Sequence, residues 1–198
     1  GDIMNQRQPE QFQIEETQFS VLSGDKQTLN NISLTSVIQK KEHSDIIKDS
    51  ILSIASSFYF TTMEATVETV AEEMERNDKI FSVAVLNENG VCEGIINKRD
   101  FFDVLGTRFG RDVYKYHKIT SLMQRVKSYK GKKNILNIAA KISDDLNETS
   151  NKYYCLSSDD GKYMGIFSSK DVLIYISHIT QKEIQLAEQV QYNIINNK

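Results

Sequence analysis

The chain has 198 residues, of which 39% are hydrophobic and 26% are charged, and its formal net charge is −3. This composition is sufficient to bury a core, and the slightly negative charge predicts no general affinity for nucleic acid. The sequence has no apolar run of about eighteen residues, so we expect neither a membrane span nor a membrane partner. It also shows no signal-peptide pattern, and we expect a cytoplasmic location.

The N-terminal region differs in composition from the rest. Residues 1–30 are rich in Gln and Asn and poor in apolar side chains, which predicts a loosely ordered segment. Spaced Ile and Leu residues then predict a helix over about 44–57, with Ser44 as its N-cap. We therefore assign residues 1–57 to an N-terminal extension. The sequence leaves open whether its helix covers the following residues or forms a dimer contact.

The rest of the chain contains an internal repeat. Residues 87–100 align with 158–171 at a constant shift, without a gap. Both segments are typical of a turn, a short apolar strand, and polar residues that begin a helix. The matched positions are Gly90 with Gly161, Gly94 with Gly165, Ile95 with Ile166, and Asp100 with Asp171. A repeat of this kind fixes the architecture before any local prediction is made.

The repeat extends upstream. Apolar side chains at helical spacing occupy both 67–74 and 135–142, which align at a slightly smaller shift than the segments above. The strands that follow these helices align at the larger shift again. The second copy therefore has three extra residues in the loop near 147–152, and loops tolerate such insertions. Each copy is therefore predicted as helix, strand, turn, strand and helix. A further strand at 57–60 leads into the first copy.

Each copy resembles a CBS (cystathionine-β-synthase-type) motif, and the tandem resembles a Bateman module. The family's core pattern of Gly, two apolar residues, Ser or Thr, two variable residues and Asp stands at 165–171. The first copy departs from it, because Asn97 stands where Ser or Thr is usual. The resemblance covers residues 58–180. It implies an α/β fold of two CBS motifs, each with a small three-stranded sheet, packed as a pseudo-twofold pair with helical N- and C-terminal extensions.

We place the first motif with a basic connector at 58–123 and the second motif at 124–180. Residues 107–133 hold nine Lys or Arg and one acid, a net charge of +8. This cluster is either a solvated linker or a set of cations that meets an anion, such as a ligand phosphate. Arg108 and Arg111 are candidates for phosphate contacts, because guanidinium groups bind phosphate bidentately. Salt bridges to the acidic helix of the first copy would explain these arginines equally well.

In the family, the Ser/Thr-x-x-Asp pattern holds adenosine nucleotides. The resemblance implies that Asp171 accepts the ribose hydroxyls and that Ser168 lies by a phosphate, where free backbone N–H groups at the helix start favour an anion. The same two residues also match a capping box, which would only satisfy the helix start. Asn97 and Asp100 form the equivalent pair of the first copy, and the Asn makes it the weaker candidate.

The family's adenine lies near the strand that enters the motif. Ser82 and Tyr153 occupy that position in the two copies, and the shift that relates them is the one that relates Asp100 to Asp171. Tyr153 is predicted either to stack on the base or to be an ordinary strand tyrosine.

The sequence shows no catalytic constellation. It has no Ser, His and Asp grouping tied by a motif and no phosphate loop of Walker spacing, so we predict no enzyme activity, no required cofactor and no metal site. His43, His117 and His178 are scattered and do not show zinc-ligand spacing. Cys92 and Cys155 fall in predicted strands of different copies, and we interpret them as buried, reduced thiols.

The C-terminal tail, residues 181–198, lacks proline and glycine and carries a weak heptad stripe. It looks like a signalling helix that leads into an output domain, as in bacterial signalling proteins with this motif. The resemblance implies a regulatory module that binds AMP, ADP or ATP between the two motifs and relays binding through this helix. We expect a homodimer. The alternative function is a ligand-free dimerisation scaffold.

Overall fold

The structure is a computed structural model that describes residues 37–41 and 49–197. It has small sheets with flanking helices, which confirms the predicted α/β class. The strands are β1 (Gln39–Lys40), β2 (Tyr59–Thr62), β3 (Ser82–Leu86), β4 (Cys92–Asn97), β5 (Ser128–Lys130), β6 (Tyr153–Ser157) and β7 (Tyr163–Ser168). The helices are α1 (Val67–Arg76), α2 (Lys98–Leu105), α3 (Gly110–Tyr114), α4 (Ile135–Lys141), α5 (Ser143–Leu146) and α6 (Ser169–Asn196).

The two sheets repeat one topology. The first has the strand order β1-β2-β3-β4 and the second β5-β6-β7. The pairs β2–β3 and β5–β6 are parallel, and β3–β4 and β6–β7 are antiparallel. The registers also correspond, since Ser82 pairs with Asn97 as Tyr153 pairs with Ser168. The first sheet has one strand more than predicted, because β1 adds to the outer edge of β2.

Helix α1 shows why the local sequence folds as predicted. Thr66 caps it in a capping box with Thr69, which satisfies free N–H groups of the first turn. One face is buried at helical spacing, by Val67, Val70, Ala71 and Met74. The helix that the apolar spacing at 67–74 predicts is confirmed. Helix α4 repeats the arrangement, with Asn134 as N-cap and Ile135 and Ile138 buried.

The segments that lead into the two motifs are exchanged between them. Ser57, just before β2, bridges Ile166 in β7 of the second motif. Gln124, just before β5, bridges Ile95 in β4 of the first motif. The backbone bonds match, with Ile166 N to Ser57 O at 2.8 Å and Ile95 N to Gln124 O at 2.8 Å. Each sheet is thus completed by backbone of the other motif.

This exchange explains the glycine of the repeated pattern. A Cβ atom added at Gly94 would lie 2.7 Å from the carbonyl oxygen of Gln124. A Cβ added at Gly165 would lie 3.1 Å from the Phe58 ring and 3.3 Å from the carbonyl oxygen of Ser57. Only glycine lets the incoming segment approach this closely.

The inner faces of the sheets form a shared core. Its buried members are Phe60, Ala84, Leu86, Ile95, Cys155, Tyr163 and Ile166, which come from both motifs. Tyr163 is fully buried, and its hydroxyl donates to the carbonyl oxygen of Tyr59 at 2.9 Å, so its polar atom is satisfied. Burial raises the pKa of Tyr163 well above its usual value, which keeps the phenol neutral.

The predicted helix over 44–57 is wrong for the residues that the structure describes. Only Ile51–Ile54 is helical, as one short 3₁₀ turn, and 44–48 lies outside the described residues. The backbone here bonds to the second motif instead of to itself, because Ile51 N donates to Lys133 O at 2.9 Å and Leu52 N to Gly131 O at 3.1 Å. Tertiary hydrogen bonds therefore override the helical pattern.

Other boundaries differ less. The strand predicted at 57–60 begins two residues later, at Tyr59, because Ser57 pairs with β7. Residues 1–30 lie outside the described part. The helix after the second motif and the predicted tail helix are one continuous helix, α6, of 28 residues, whose described residues are all exposed from Thr180 onward. Among the described residues, no helix combines the length and hydrophobicity needed to cross a bilayer.

The reduced-thiol interpretation is wrong in this structure. Cys92 of β4 and Cys155 of β6 form a disulfide that joins the two motifs. Their Cα atoms lie 6.8 Å apart across the shared core, within disulfide reach. Nothing in the sequence indicates this pairing, because the two cysteines occupy positions of the repeat that do not correspond.

We expect reduction of this disulfide to destabilise the fold, because the bond closes a long loop with a sequence separation of 63 residues. Loss of such a bond costs about 2–5 kcal/mol. Thermal unfolding with and without dithiothreitol measures the effect, and the Cys92→Ser variant should be insensitive to the reductant. Two free thiols in the untreated protein, with an unchanged melting temperature, would contradict the prediction.

The close approach at Gly94 predicts that Gly94→Ala destabilises the pair. The added methyl group meets backbone oxygen and must displace the incoming segment, at a cost of about 1–3 kcal/mol. Gly131→Ala is the matched control, because its nearest contacts would be ordinary ones at 3.5–3.7 Å. Urea unfolding of the three proteins gives the comparison. An equal loss of unfolding free energy in both variants would show that the close contact between Gly94 and Gln124 does not exclude a side chain.

Candidate functional site

Ser168 and Asp171 form a capping box at the start of α6. The carboxylate Oδ2 of Asp171 accepts from the Ser168 backbone N–H at 2.8 Å and from its hydroxyl at 2.9 Å, and Ser168 Oγ accepts from Asp171 N at 3.1 Å. The capping role is therefore present in the structure. Among the described residues, none donates a hydrogen bond to Asp171 Oδ1, which leaves this oxygen as an acceptor for a ligand.

The backbone N–H groups at this helix start are already bonded, contrary to the expectation of free donors. Asn151 Oδ1 accepts from Lys170 N and from the Ser169 hydroxyl, each at 3.0 Å. Ser169 N donates to the carbonyl oxygen of Lys152 at 2.9 Å. A phosphate at this position would have to displace Asn151. Sequence reasoning missed Asn151. The available signal was the three-residue insertion near 147–152, which gives the second copy side chains that the first copy lacks.

The first motif is arranged differently. Asn97 caps α2 by accepting from Arg99 N at 3.0 Å. Asp100 is exposed and does not close a capping box; its Oδ2 accepts from Gln124 Nε2 at 3.0 Å. Gln124 is the residue whose backbone bridges β4, so the exchanged segment itself supplies this contact. A shallow pocket surrounds the contact, lined by Asn97, Asp100, Phe101, Val104, Leu122 and Gln124.

Tyr153 lies between the two motifs. Its pKa is raised by burial and by the negative charges of Asp171 and Asp100, and side-chain hydrogen bonds with Asn151 and Asn97 act in the opposite direction. The Asn151 amide lies 3.4 Å from the Tyr153 hydroxyl. One aromatic side chain therefore interacts with the carboxylates of both motifs.

Ser82 lies beside this group but is buried. It pairs with Asn97 across β3–β4, is only 2% exposed, and its carbonyl oxygen accepts from the Ser57 hydroxyl at 2.7 Å. Of the eight residues predicted for the site, Asn97 and Asp100 line the pocket, and Ser168 and Asp171 form the capping box of α6. Ser82 and Tyr153 are the strand partners of Asn97 and Ser168.

The two predicted arginines lie elsewhere. The guanidinium of Arg111 contacts Glu68 at 2.8 Å and Glu75 at 2.6 Å, both on α1. These hydrogen bonds raise the pKa of Arg111 and lower that of Glu68. Arg108 lies over the Phe109 ring at 5.2 Å. The salt-bridge interpretation thus accounts for Arg111.

The cleft offers mainly hydrogen-bond acceptors. Two carboxylates, three amides and one phenol suit hydroxyl groups and an aromatic ring, such as those of a nucleoside. Within the described residues, no group of three or more His, Cys, Asp or Glu side chains could hold a metal ion.

Arg111→Met should lower the free energy of unfolding at neutral pH by about 0.5–1 kcal/mol, because this pair is partly exposed. The pKa of folded Glu68 is lowered, so the stabilisation is present above the unfolded pKa and is lost as the pH falls through the folded pKa. Urea unfolding between pH 7 and pH 3 should show the two proteins converging at low pH. Arg108→Met is the control and should match the parent, and a pH-independent difference would contradict the assignment.

The comparisons with known proteins support the fold. The CBS domain family matches residues 46–107. A solved CBS domain-containing protein from Bacillus anthracis superposes with a TM-score of 0.51 at 14% identity, over 66% of this chain and 94% of that chain. The chain folds as a pair of CBS domains. No curated protein matches it.

Two other similar solved structures contain bound ligands. The cytosolic domain of the Mg²⁺ channel MgtE, in complex with ATP, is 19% identical with a TM-score of 0.44. That match covers 59% of this chain and 44% of the channel domain, so this chain spans less than half of that domain's length. The CBS pair of protein MJ0100, with 5′-methylthioadenosine and S-adenosyl-L-methionine, is 19% identical with a TM-score of 0.48, over 65% of this chain and 96% of that chain.

Proposed function

We propose that this CBS pair is a regulatory module that binds an adenosine nucleotide in the cleft between its two motifs. The observation that carries the proposal is the position of Tyr153, which pairs with Ser168 across β6–β7 and whose hydroxyl lies 3.4 Å from the Asn151 amide at the start of α6. The charges of Asp100 and Asp171 both act on this phenol. An aromatic ring near carboxylates of both motifs can stack on a base while a carboxylate accepts ribose hydroxyls. The resemblance to CBS motifs makes adenosine compounds the first ligand class to test.

Each motif provides a carboxylate oxygen that can accept the ribose hydroxyls. Asp171 has one oxygen outside its capping box, and Asp100 is exposed with one bond to Gln124. A ligand at Asp100 would compete for Gln124, and thus for the exchanged segment. Binding there would change how the motifs pack, provided that the ligand has different affinities for the two arrangements.

The relay runs through α6, which begins at the cleft and continues into solvent. Its exposed apolar side chains include Leu186, Val190, Ile194 and Ile195, each more than half exposed. We propose that they contact a second copy, and that the helix leads to an output domain in a cytoplasmic, bacterial signalling protein. Residues 58–123 and 124–180 remain our limits for the two motifs.

The closed helix start of α6 favours the second candidate, a ligand-free dimerisation scaffold. Asn151 and Ser168 already satisfy the donors that a phosphate would use. In that case the pair only holds α6 in position.

Calorimetric titration and thermal unfolding with AMP, ADP, ATP and S-adenosylmethionine test the proposal. Ligand at a hundredfold excess over its Kd should stabilise the protein by about 2.7 kcal/mol. Asp100→Asn or Asp171→Asn should weaken binding at least about tenfold, because a charged acceptor is lost. Asn retains an acceptor oxygen, for the Ser168 donors at position 171 and for the Gln124 amide at position 100, so the fold should persist in both variants.

Asp103→Asn is the matched control, since Asp103 is an exposed acid on the same helix as Asp100. Its affinity should equal that of the parent. If no compound binds and the protein is a dimer by mass whose stability ignores every nucleotide, the scaffold function replaces the sensor.

A further inference from the structure

The outer edges of the two sheets are occupied differently. In the first sheet, β1 pairs antiparallel with β2, with Gln39 opposite Phe60. Phe60 corresponds to Ser128 of β5 in the repeat, and each pairs inward with the equivalent residue of the next strand. In the second sheet, no strand among the described residues pairs with the outer edge of β5 itself. Just beyond its C-terminal end, Leu52 N donates to Gly131 O, and Ser50 bridges Asn134.

The β5 edge can accept another strand. Cys155 N donates to Lys127 O, so in this parallel register Lys127 directs its carbonyl group inward, towards β6. Alternate residues of a strand direct their backbone groups to opposite sides, and Ser128 therefore directs its N–H and C=O outward. An unpaired strand edge of this kind is a template for an added chain.

The surroundings of this edge are strongly cationic. We define the cationic edge as Arg125, Lys127, Lys130, Lys132, Lys133 and Lys141, all of which are exposed. Residues 125–141 contain these six cations and no acid. Within the described part of the chain, none of the six lies in an ion pair, whereas Arg111, Lys115, Lys118 and Lys152 all do.

Two of these lysines approach each other. Side-chain contact with Lys141, together with its charge, lowers the pKa of Lys133. An anion placed between the two would relieve this repulsion. Among residues 37–41 and 49–197, no carboxylate forms an ion pair with these two lysines, as expected of a surface that meets an acidic partner.

We propose that the cationic edge binds an extended acidic segment of a partner protein, which adds to β5 as β1 adds to β2. The partner would contribute backbone hydrogen bonds to Ser128, and its Asp or Glu side chains would face the lysines. Backbone pairing and alternate side-chain contacts are the known basis of such strand addition. This interaction is independent of the nucleotide cleft.

The probe for the test is a short, fluorescently labelled peptide of alternating Glu and Thr, added to the full chain. Anisotropy should report saturable binding that weakens with salt. A Glu and Thr peptide that is N-methylated at every residue has the same charge but lacks backbone donors on both edges, and it should bind at least about tenfold more weakly. Equal binding of the two peptides would overturn strand addition, and no binding of either would overturn the proposal.

Two variants locate the interaction. Lys130→Glu with Lys132→Glu should weaken binding at least about tenfold, and Lys79→Glu with Lys182→Glu is the control with the same change in charge and should leave it unchanged. Ser128→Pro should also abolish binding, because Pro removes the outward donor but is tolerated on an edge strand. If Ser128→Pro fails to fold, the charge variants still decide, and equal affinity in both double variants would overturn the proposal.

Amide hydrogen exchange at Ser128 distinguishes the acidic partner from two other possible occupants of the β5 edge, a second copy and another segment of this chain. Its amide should exchange rapidly in the free protein and become protected when the Glu and Thr peptide is added. Protection without peptide that is lost on dilution would assign the edge to a second copy. Protection that persists would assign it to another segment of this chain, and either result would overturn the proposed partner.

Discussion

The exchange of lead-in segments between the two motifs is the constraint on which the rest of the structure depends. Ser57 completes the sheet of the second motif and Gln124 that of the first, through matched pairs of backbone hydrogen bonds. Neither sheet can satisfy its inner edge alone, and buried backbone groups without partners are costly. The motifs must therefore fold as a pair. A change at Ser57 would disturb the second sheet, and a change at Gln124 the first.

The candidate site follows from this exchange. Because Gln124 crosses to the first motif, its side chain reaches Asp100, and because the sheets face each other, Tyr153 comes close to both carboxylates. The cleft is pseudo-symmetric in backbone but not in side chains. The first motif has an exposed carboxylate beside a crossing glutamine, whereas the second has a carboxylate in a closed capping box supported by Asn151.

The repeat is the strongest predictor available in the sequence. Its constant shift predicts the strand pairs and the helix starts, and the matched residues occupy equivalent registers in the two sheets. Helical spacing likewise predicts α1, because its burial is one-sided and its cap is local. Features that depend on short-range pattern are therefore within reach of sequence reasoning.

Features that depend on contacts between distant segments are not. The 44–57 region has helical spacing, but the backbone at Ile51 bonds to the loop before α4. Asn151 and Gln124 enter the site only because loops from elsewhere arrive there. Arg111 has two open interpretations in the sequence, and only the position of α1 shows that Glu68 and Glu75 are its partners. The disulfide likewise joins positions that the repeat does not relate.

Because α6 is long and uninterrupted, a small tilt at its start would produce a larger displacement at its far end. The helix begins within the capping box of Asp171 and continues for 28 residues, so it is about 42 Å long. As a rigid rod of that length, it would convert a tilt of about 10° at the cleft into a displacement of about 7 Å at its far end. A rearrangement too small to disturb the core could thus move whatever follows α6 by more than the pitch of a helix turn.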